Sequence, residues 1–401
     1  MFADIHMKKK IFLGIIVTAI LSSFLTVSGL CIILQLDAKN LLNLGRLIGA
    51  MNFIETHYVQ EVEKDKLIDG AINGMVHSLG DPHSIYLEPK LYSQLKADTS
   101  GSFGGIGVYM GFKEDAVFVL GVIPESPGEK VGLKAGDSII AVNSQPVSEM
   151  EPSEVALKIR GEVGSDVDLL VRREGEEDKT YTIKREIIKV PTVSGKMIDD
   201  KLGYVRISNF SENTGMEFKE TISKLEQQNM KGFILDLRQN PGGVITSCVE
   251  IAKEIVPAGT IVSVIQRDGQ KEVFTSDLKQ AKYPIVVLLD HNSASASELL
   301  SGALQDTKAA LIVGEKSYGK GSVQTVIPMF QNDGLKLTIA KYYTPSGRSI
   351  DGTGIQPDVE VKLDKPIMIP RDPDINSAVD LQLQKAKEIL TEQVNSGKIL
   401  F

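Results

Sequence analysis

Ile285-Val286-Val287-Leu288-Leu289-Asp290-His291-Asn292-Ser293-Ala294-Ser295-Ala296-Ser297-Glu298 decides the fold. Its five aliphatic residues make a run of strand length without a polar interruption, as expected of a strand covered on both faces. Residues 295–305 behind them read as a helix, and the polar turn between lies where open α/β sheets present their sites. Outward from this unit the alternation continues. Residues 203–207, 232–237 and 311–313 read as strands, and 214–227 and 244–255 as helices. That alternation predicts an α/β domain with a largely parallel sheet over 188–365, to which 336–343 adds further strands.

Upstream, over 98–187, the pattern changes to short β-type runs at 108–110, 117–122, 138–142, 168–171 and 181–185. Turns of Gly, Pro, Asn and Asp and one helical stretch at 153–159 separate them, which predicts one small domain. Its entrance, Gly104-Gly105-Ile106-Gly107-Val108, reads either as an ordinary turn or as a nest of backbone amides for a terminal carboxylate, followed by an open strand edge. Ser126-Pro127-Gly128, Gly132-Leu133-Lys134-Ala135-Gly136-Asp137-Ser138-Ile139 and Val142-Asn143 closely resemble a PDZ domain of the permuted bacterial type. The resemblance implies recognition of a peptide C-terminus at Gly105, Ile106, Gly107 and the strand from Val108. Arg160, closing the helical stretch, is read as a charge near that carboxylate, a contact to the next domain or a plain exposed arginine.

Residues 35–97 read as a helical arm, with Leu44, Leu47, Ile48, Met51 and Ile54 at spacings of three and four. Residues 366–401 read as a C-terminal helical segment, either a dimerising element or a local tail helix. The 24 residues from Ile11 to Leu34 carry no charge and follow Lys8-Lys9-Lys10. As a helix they measure about 36 Å, against a hydrocarbon core of about 30 Å, which predicts a transmembrane anchor. The lysines keep residues 1–10 cytoplasmic and put the rest outside. A cleaved signal peptide is the alternative, but its apolar region is shorter, and Leu34-Gln35-Leu36-Asp37 lacks the small residues of a cleavage site.

The 401-residue chain has net charge −8, so a nucleic-acid partner is disfavoured. Its two cysteines, Cys31 and Cys248, cannot build a Cys-rich metal site, and an intramembrane Cys31 cannot pair with Cys248. No metal cluster, phosphate loop or cofactor fingerprint is present, so no cofactor is expected.

Nucleophile candidates are the serines at 293, 295 and 297. Taken locally they are helix caps, because Ser295 followed by Glu298 is a capping-box pattern. A nucleophilic serine needs a base. Of the five histidines only His291 is near, and four residues before Ser295 is too close to swing onto its hydroxyl. The other available base is a neutral lysine, and Lys320 sits between glycines in Tyr318-Gly319-Lys320-Gly321. An unperturbed lysine is neutral about once in 2,500 at pH 7, so it has to be desolvated.

Ser293-Ala294-Ser295-Ala296-Ser297-Glu298, Gly302-Ala303-Leu304-Gln305-Asp306, Tyr318-Gly319-Lys320-Gly321 and Val323-Gln324 resemble the carboxyl-terminal processing peptidases, tail-specific serine proteases of family S41. Asp236-Leu237-Arg238-Gln239-Asn240-Pro241-Gly242-Gly243 and Tyr342-Tyr343-Thr344-Pro345-Ser346-Gly347-Arg348-Ser349-Ile350 extend the resemblance, which reverses the capping reading. It implies Ser295 as nucleophile, Lys320 as general base and Gln324 as the residue orienting the lysine. Ala296 is the expected oxyanion donor together with Gly243, or less favourably Gly242. Asp306 is expected to be structural. The expected protein is a serine endopeptidase of the bacterial cell membrane, single-pass and extracytoplasmic, taking proteins with accessible C-terminal tails and pairing as a homodimer. The competing classes are a membrane-tethered PDZ scaffold with an inert core and an acyl transferase.

Overall fold

A computed structural model describes residues 37–113, 116–363, 365, 367–370, 373–375 and 377–397, with scattered positions between 16 and 29. The anchor expected at 11–34 falls largely outside the described residues, and none of their helices is long and apolar enough to cross a membrane. Cys31 also lies outside them, while Cys248 is a free, buried thiol.

The chain divides after Pro82. The first unit contains α1 (Ala38–His57) and α2 (Lys64–His77). Its apolar residues are largely uncovered; Leu42, Phe53 and Val59 are among the exposed ones. The helical reading of 35–97 is interrupted by one short strand. Ile85–Leu87 is a strand, β1, paired antiparallel with a strand more than two hundred residues later, and α3 (Pro89–Ser100) follows it. Three residues give no periodic signal of their own, so only the distant partner makes this segment a strand.

The small β domain hangs from a neck in which β2 (Ser102–Gly105) pairs antiparallel with β9 (Glu186–Lys189). Between them lie β3 (Val108–Lys113), β4 (Ala116–Val122), α4 (Pro127–Lys130), β5 (Ser138–Val142), β6 (Gln145–Pro146), α5 (Pro152–Ile159), β7 (Asp166–Arg172) and β8 (Lys179–Lys184). The sheet runs β3-β4-β5-β7-β8, leaving β3 at an edge. In β7 the buried residues alternate with others, so Val167, Leu169 and Val171 meet Ile106, Ile139 and Ile183 in one core.

The second part of the unit contains β10 (Val193–Met197), β11 (Leu202–Ile207), α6 (Thr214–Gln227), β12 (Gly232–Asp236), α7 (Ile245–Ile255), β13 (Gly259–Gln266), β14 (Lys271–Ser276), β15 (Ile285–Leu289), α8 (Ala296–Asp306), β16 (Leu311–Gly314), β17 (Ser322–Pro328), β18 (Gly334–Tyr343), β19 (Val359–Glu360) and α9 (Leu381–Ser396). One sheet has the order β10-β11-β12-β15-β16-β19, parallel except for β10. β12 and β15 are buried at every position, as the uninterrupted aliphatic run requires. A second, antiparallel sheet joins β1, β18, β13 and β14, with β17 on β18. Its β13–β14 hairpin is absent from the sequence expectation.

The C-terminal helix belongs to this fold. Leu383, Ala386 and Leu390 of α9 pack with Tyr204, Ile234 and Leu288 of the parallel sheet, so that apolar face is occupied within the chain and is not a dimerising surface. Arg238 ties it down. Its guanidinium, 1% exposed, donates to Asp236 at 2.6 Å and to Asp380, the N-cap of α9, at 2.7 Å. Burial pushes the Asp236 carboxyl up, but the charge and hydrogen bonds of Arg238, with Arg206 behind them, hold it below the usual carboxylate range. A carboxyl depressed on folding contributes stability that is complete above its unfolded value, about pH 4, and is lost as pH falls through the folded value. Arg238→Leu, which strands two buried carboxylates, is expected to destabilise the fold by about 3–5 kcal/mol in urea unfolding at pH 7. The difference from the parent narrows as pH falls below about 4 and through the folded Asp236 value.

Candidate active site

A cavity of about 800 Å³ lies at the C-terminal ends of the parallel strands and contains Ser295, Lys320 and Gln324 in its wall. Of the three serines in the turn after β15, Ser295 alone reaches it. Ser293 is fully buried and donates to the Leu237 carbonyl at 2.9 Å, and Ser297, also buried, donates to the Asn240 carbonyl at 3.0 Å. Ser295 sits at φ 54°, ψ −114°. A side chain in that region carries about 1–3 kcal/mol of backbone strain, which the surroundings have to hold.

Glu298 supplies much of that hold. Its carboxylate, 0% exposed, accepts from the Ser295 N–H at 2.8 Å, the Lys320 N–H at 2.9 Å, the Gly319 N–H at 2.6 Å and the Ser317 hydroxyl at 2.5 Å. One side chain therefore fixes the backbone of both the serine and the lysine. Sequence reading reduced Glu298 to a capping residue. Its bond to Ser295 N–H is the arm a capping box predicts, but its other three donors come from about twenty residues away.

Tyr342, on β18, is 1% exposed and donates its phenol hydrogen to the Lys320 carbonyl. Burial, helped by the nearby Glu298 charge, raises this phenol well above its usual value, while a hydrogen bond with Ser295 acts in the opposite sense. The phenol stays protonated and remains a donor. Gln324, two residues into β17, donates Nε2 to Ser322 Oγ at 2.8 Å and to Thr338 Oγ1 at 3.2 Å. Those bonds orient the amide and leave Oε1 as an acceptor.

The N–H groups of Ala296 and Gly243 meet no acceptor among the described residues. Gly242 differs. Its N–H donates to Asn240 Oδ1 at 2.9 Å, so the alternative oxyanion donor is already engaged. Its role is steric: a Cβ there would come 2.7 Å from that of Ser295 and 2.6 Å from the Ala294 carbonyl oxygen. The φ values of 96° at Gly242 and 141° at Gly243 are glycine territory as well.

His291 turns outward, with its side chain 67% exposed and Nδ1 4.0 Å from Glu315. Asp306 accepts from the Ser346 N–H at 3.0 Å and from Arg348 at 3.0 Å, tying the end of α8 to the turn after β18. Arg160, at the C-cap of α5, lies over the Phe103 ring at 4.1 Å and lines the cavity. An adjoining cavity of about 720 Å³ shares Thr99, Phe103, Arg160 and Val326 with the first and reaches Gly104 and Gly161 of the small domain. In that domain the amides of Ile106 and Gly107 meet no acceptor among the described residues. Gly105 is paired with Glu186 in the neck, and Val108 with Val122 on one side only.

Family models of peptidase family S41, of a PDZ domain and of the N-terminal domain of activating protease CtpB match residues 201–361, 118–173 and 35–90. The chain is 35% identical over 374 residues to the carboxy-terminal processing protease CtpB of Bacillus subtilis, covering 91% of this chain and 76% of that one. It is 40% identical over 319 residues to the carboxy-terminal-processing protease of Bartonella bacilliformis, covering 77% and 73%. Among solved structures, the photosystem II D1 C-terminal processing protease is 28% identical, with 86% of this chain and 96% of that chain covered and a TM-score of 0.48. Similarity sustained over most of both sequences places the chain in the carboxy-terminal processing protease family, and it is a serine protease of peptidase family S41 carrying a PDZ domain.

Proposed function

We propose that this protease is a membrane-anchored, extracytoplasmic endopeptidase that captures the C-terminal tail of a protein substrate on its PDZ domain and cleaves it with Ser295 and Lys320. The observation that carries this reading is the shared Glu298 carboxylate, which holds the serine and lysine backbones together at one cavity wall. Neutral Lys320 takes the Ser295 proton as the hydroxyl attacks the scissile carbonyl, then returns that proton to the leaving nitrogen as the C–N bond breaks, which leaves an acyl-enzyme, releases the tail fragment as an amine and makes the lysine neutral again. Gln324 Oε1 accepts a hydrogen from the lysine amine and aims its lone pair at the serine. The N–H groups of Ala296 and Gly243 stabilise the oxyanion. Lys320 then activates water for deacylation.

Free amides at Ile106 and Gly107 beside the open edge of β3 support capture of a terminal carboxylate, with the rest of the tail added as a strand. The adjoining cavity, which Arg160 lines, supports a route from there to Ser295. The uncharged run at 11–34 behind three lysines supports the anchor and the outward orientation. The exposed apolar residues of α1 support a homodimer formed through the arm.

Ser295→Ala is expected to abolish cleavage of a tailed substrate with an unchanged thermal melt. Lys320→Arg keeps the charge but cannot deprotonate, so kcat should fall by about a thousandfold or more. Retained turnover in either variant removes the dyad from the mechanism. For the PDZ domain, amidating the substrate's C-terminus should raise KM by about tenfold with little change in kcat. Equal KM values for the free and amidated tails would end the PDZ assignment.

A further inference from the structure

Lys336 is a cationic group that the mechanism does not use. It is the third residue of β18, flanked by Ile85 of β1 and Val326 of β17, and it lines the same cavity as Ser295 and Gln324. Its side chain is half-buried and makes no hydrogen bond or ion pair with any described residue. Burial alone lowers its pKa, with no partner to offset it. A partly desolvated ammonium without a counter-charge is costly to hold, and its natural complement is a ligand anion.

Placement along the strand gives the subsite. Thr338, which accepts from Gln324, is two residues from Lys336 on β18, and Val326 faces Lys336 as Gln324 faces Thr338. Lys336 therefore stands about 7 Å beyond the Gln324–Thr338 pair, the spacing of about two residues of an extended peptide. With Lys320 neutral, as catalysis requires, the charged residues lining the cavity are Arg160 and Lys336 against one carboxylate, Asp98, although the whole chain is acidic at −8. The cavity is thus positive within a negative protein, an arrangement that draws in anionic ligands.

We propose that Lys336 is a specificity-determining residue that pairs with a carboxylate of the bound peptide, supplied either by an acidic side chain or by the chain terminus. The assignment rests on the reading of this cavity as the peptide-binding site, and it concerns recognition, separate from bond cleavage.

The test measures binding by fluorescence anisotropy on the Ser295→Ala protein, with and without Lys336→Gln. Two peptide series separate the sources. In one, an Asp or its isosteric Asn is walked along a peptide with an amidated end; in the other, a peptide without acidic residues has a free or amidated end. With Lys336 present, at least one series should favour the carboxylate by about tenfold. Lys336→Gln should reduce that preference to within about twofold, and the series that responds names the source. Lys336→Arg should keep it. Preferences unaltered by Lys336→Gln, no preference in the parent, or a loss with Lys336→Arg equal to that with Lys336→Gln each overturn the proposal. Because binding is read without turnover, the dyad stands or falls separately, on labelling of Ser295 in the otherwise unaltered protein by a fluorophosphonate.

Discussion

The active-site framework depends on a carboxylate without water around it. Glu298 is fully buried and receives four hydrogens, two from the turn that carries Lys320, one from Ser317 and one from Ser295. Hydrogen bonds to a charged acceptor are the strong ones, at about 1.5–3 kcal/mol each, and they fix geometry as well as energy. That is enough to hold Ser295 in a backbone conformation it would not choose. The same side chain sets the distance between two segments of chain that have no contiguous sequence in common.

Around this centre the polar ties converge on the ends of the parallel strands. The Asn240 carbonyl accepts from Ala294 and Ser297, and its side chain engages Gly242 and the Ile207 carbonyl. The loop after β12 is thereby laced to the serine turn after β15, bringing the free Gly243 amide to the same cavity as Ser295. Below it, Arg238 connects Asp236 on β12 to Asp380 at the start of α9. The site is rigid because each loop is tied to a buried strand end, which is what positioning catalysis requires.

Electrostatics divides the molecule differently from its fold. The surface charge is acidic overall, yet the cavity walls carry cations, and the catalytic reading needs one of them neutral. Tyr342 contributes a neutral donor that cannot ionise near neutral pH, because burial and the Glu298 charge oppose a phenolate. It fixes the Lys320 carbonyl without adding charge beside the nucleophile.

Much of this was legible in order. The aliphatic run at 285–289 identified a doubly covered strand, the amphipathic spacing of 214–227 a helix, and the serine-rich turn and Tyr-Gly-Lys-Gly segment the residues of the cavity wall. Local periodicity and motif chemistry are properties of neighbouring residues, so a sequence displays them directly. Three kinds of information were not there. The strand character of Ile85–Leu87 comes from β18, and the burial of the α9 face comes from the sheet it covers. The resemblance named Ser295 and favoured Gly243 over Gly242, but the physical reason, that Ser293, Ser297 and the Gly242 amide are already engaged elsewhere, appears only in the fold. Sequence alone determined the family of chemistry and the residues available for it. Tertiary structure decided which donors stay free, because a hydrogen bond to a residue fifty positions away exists only once the chain has folded.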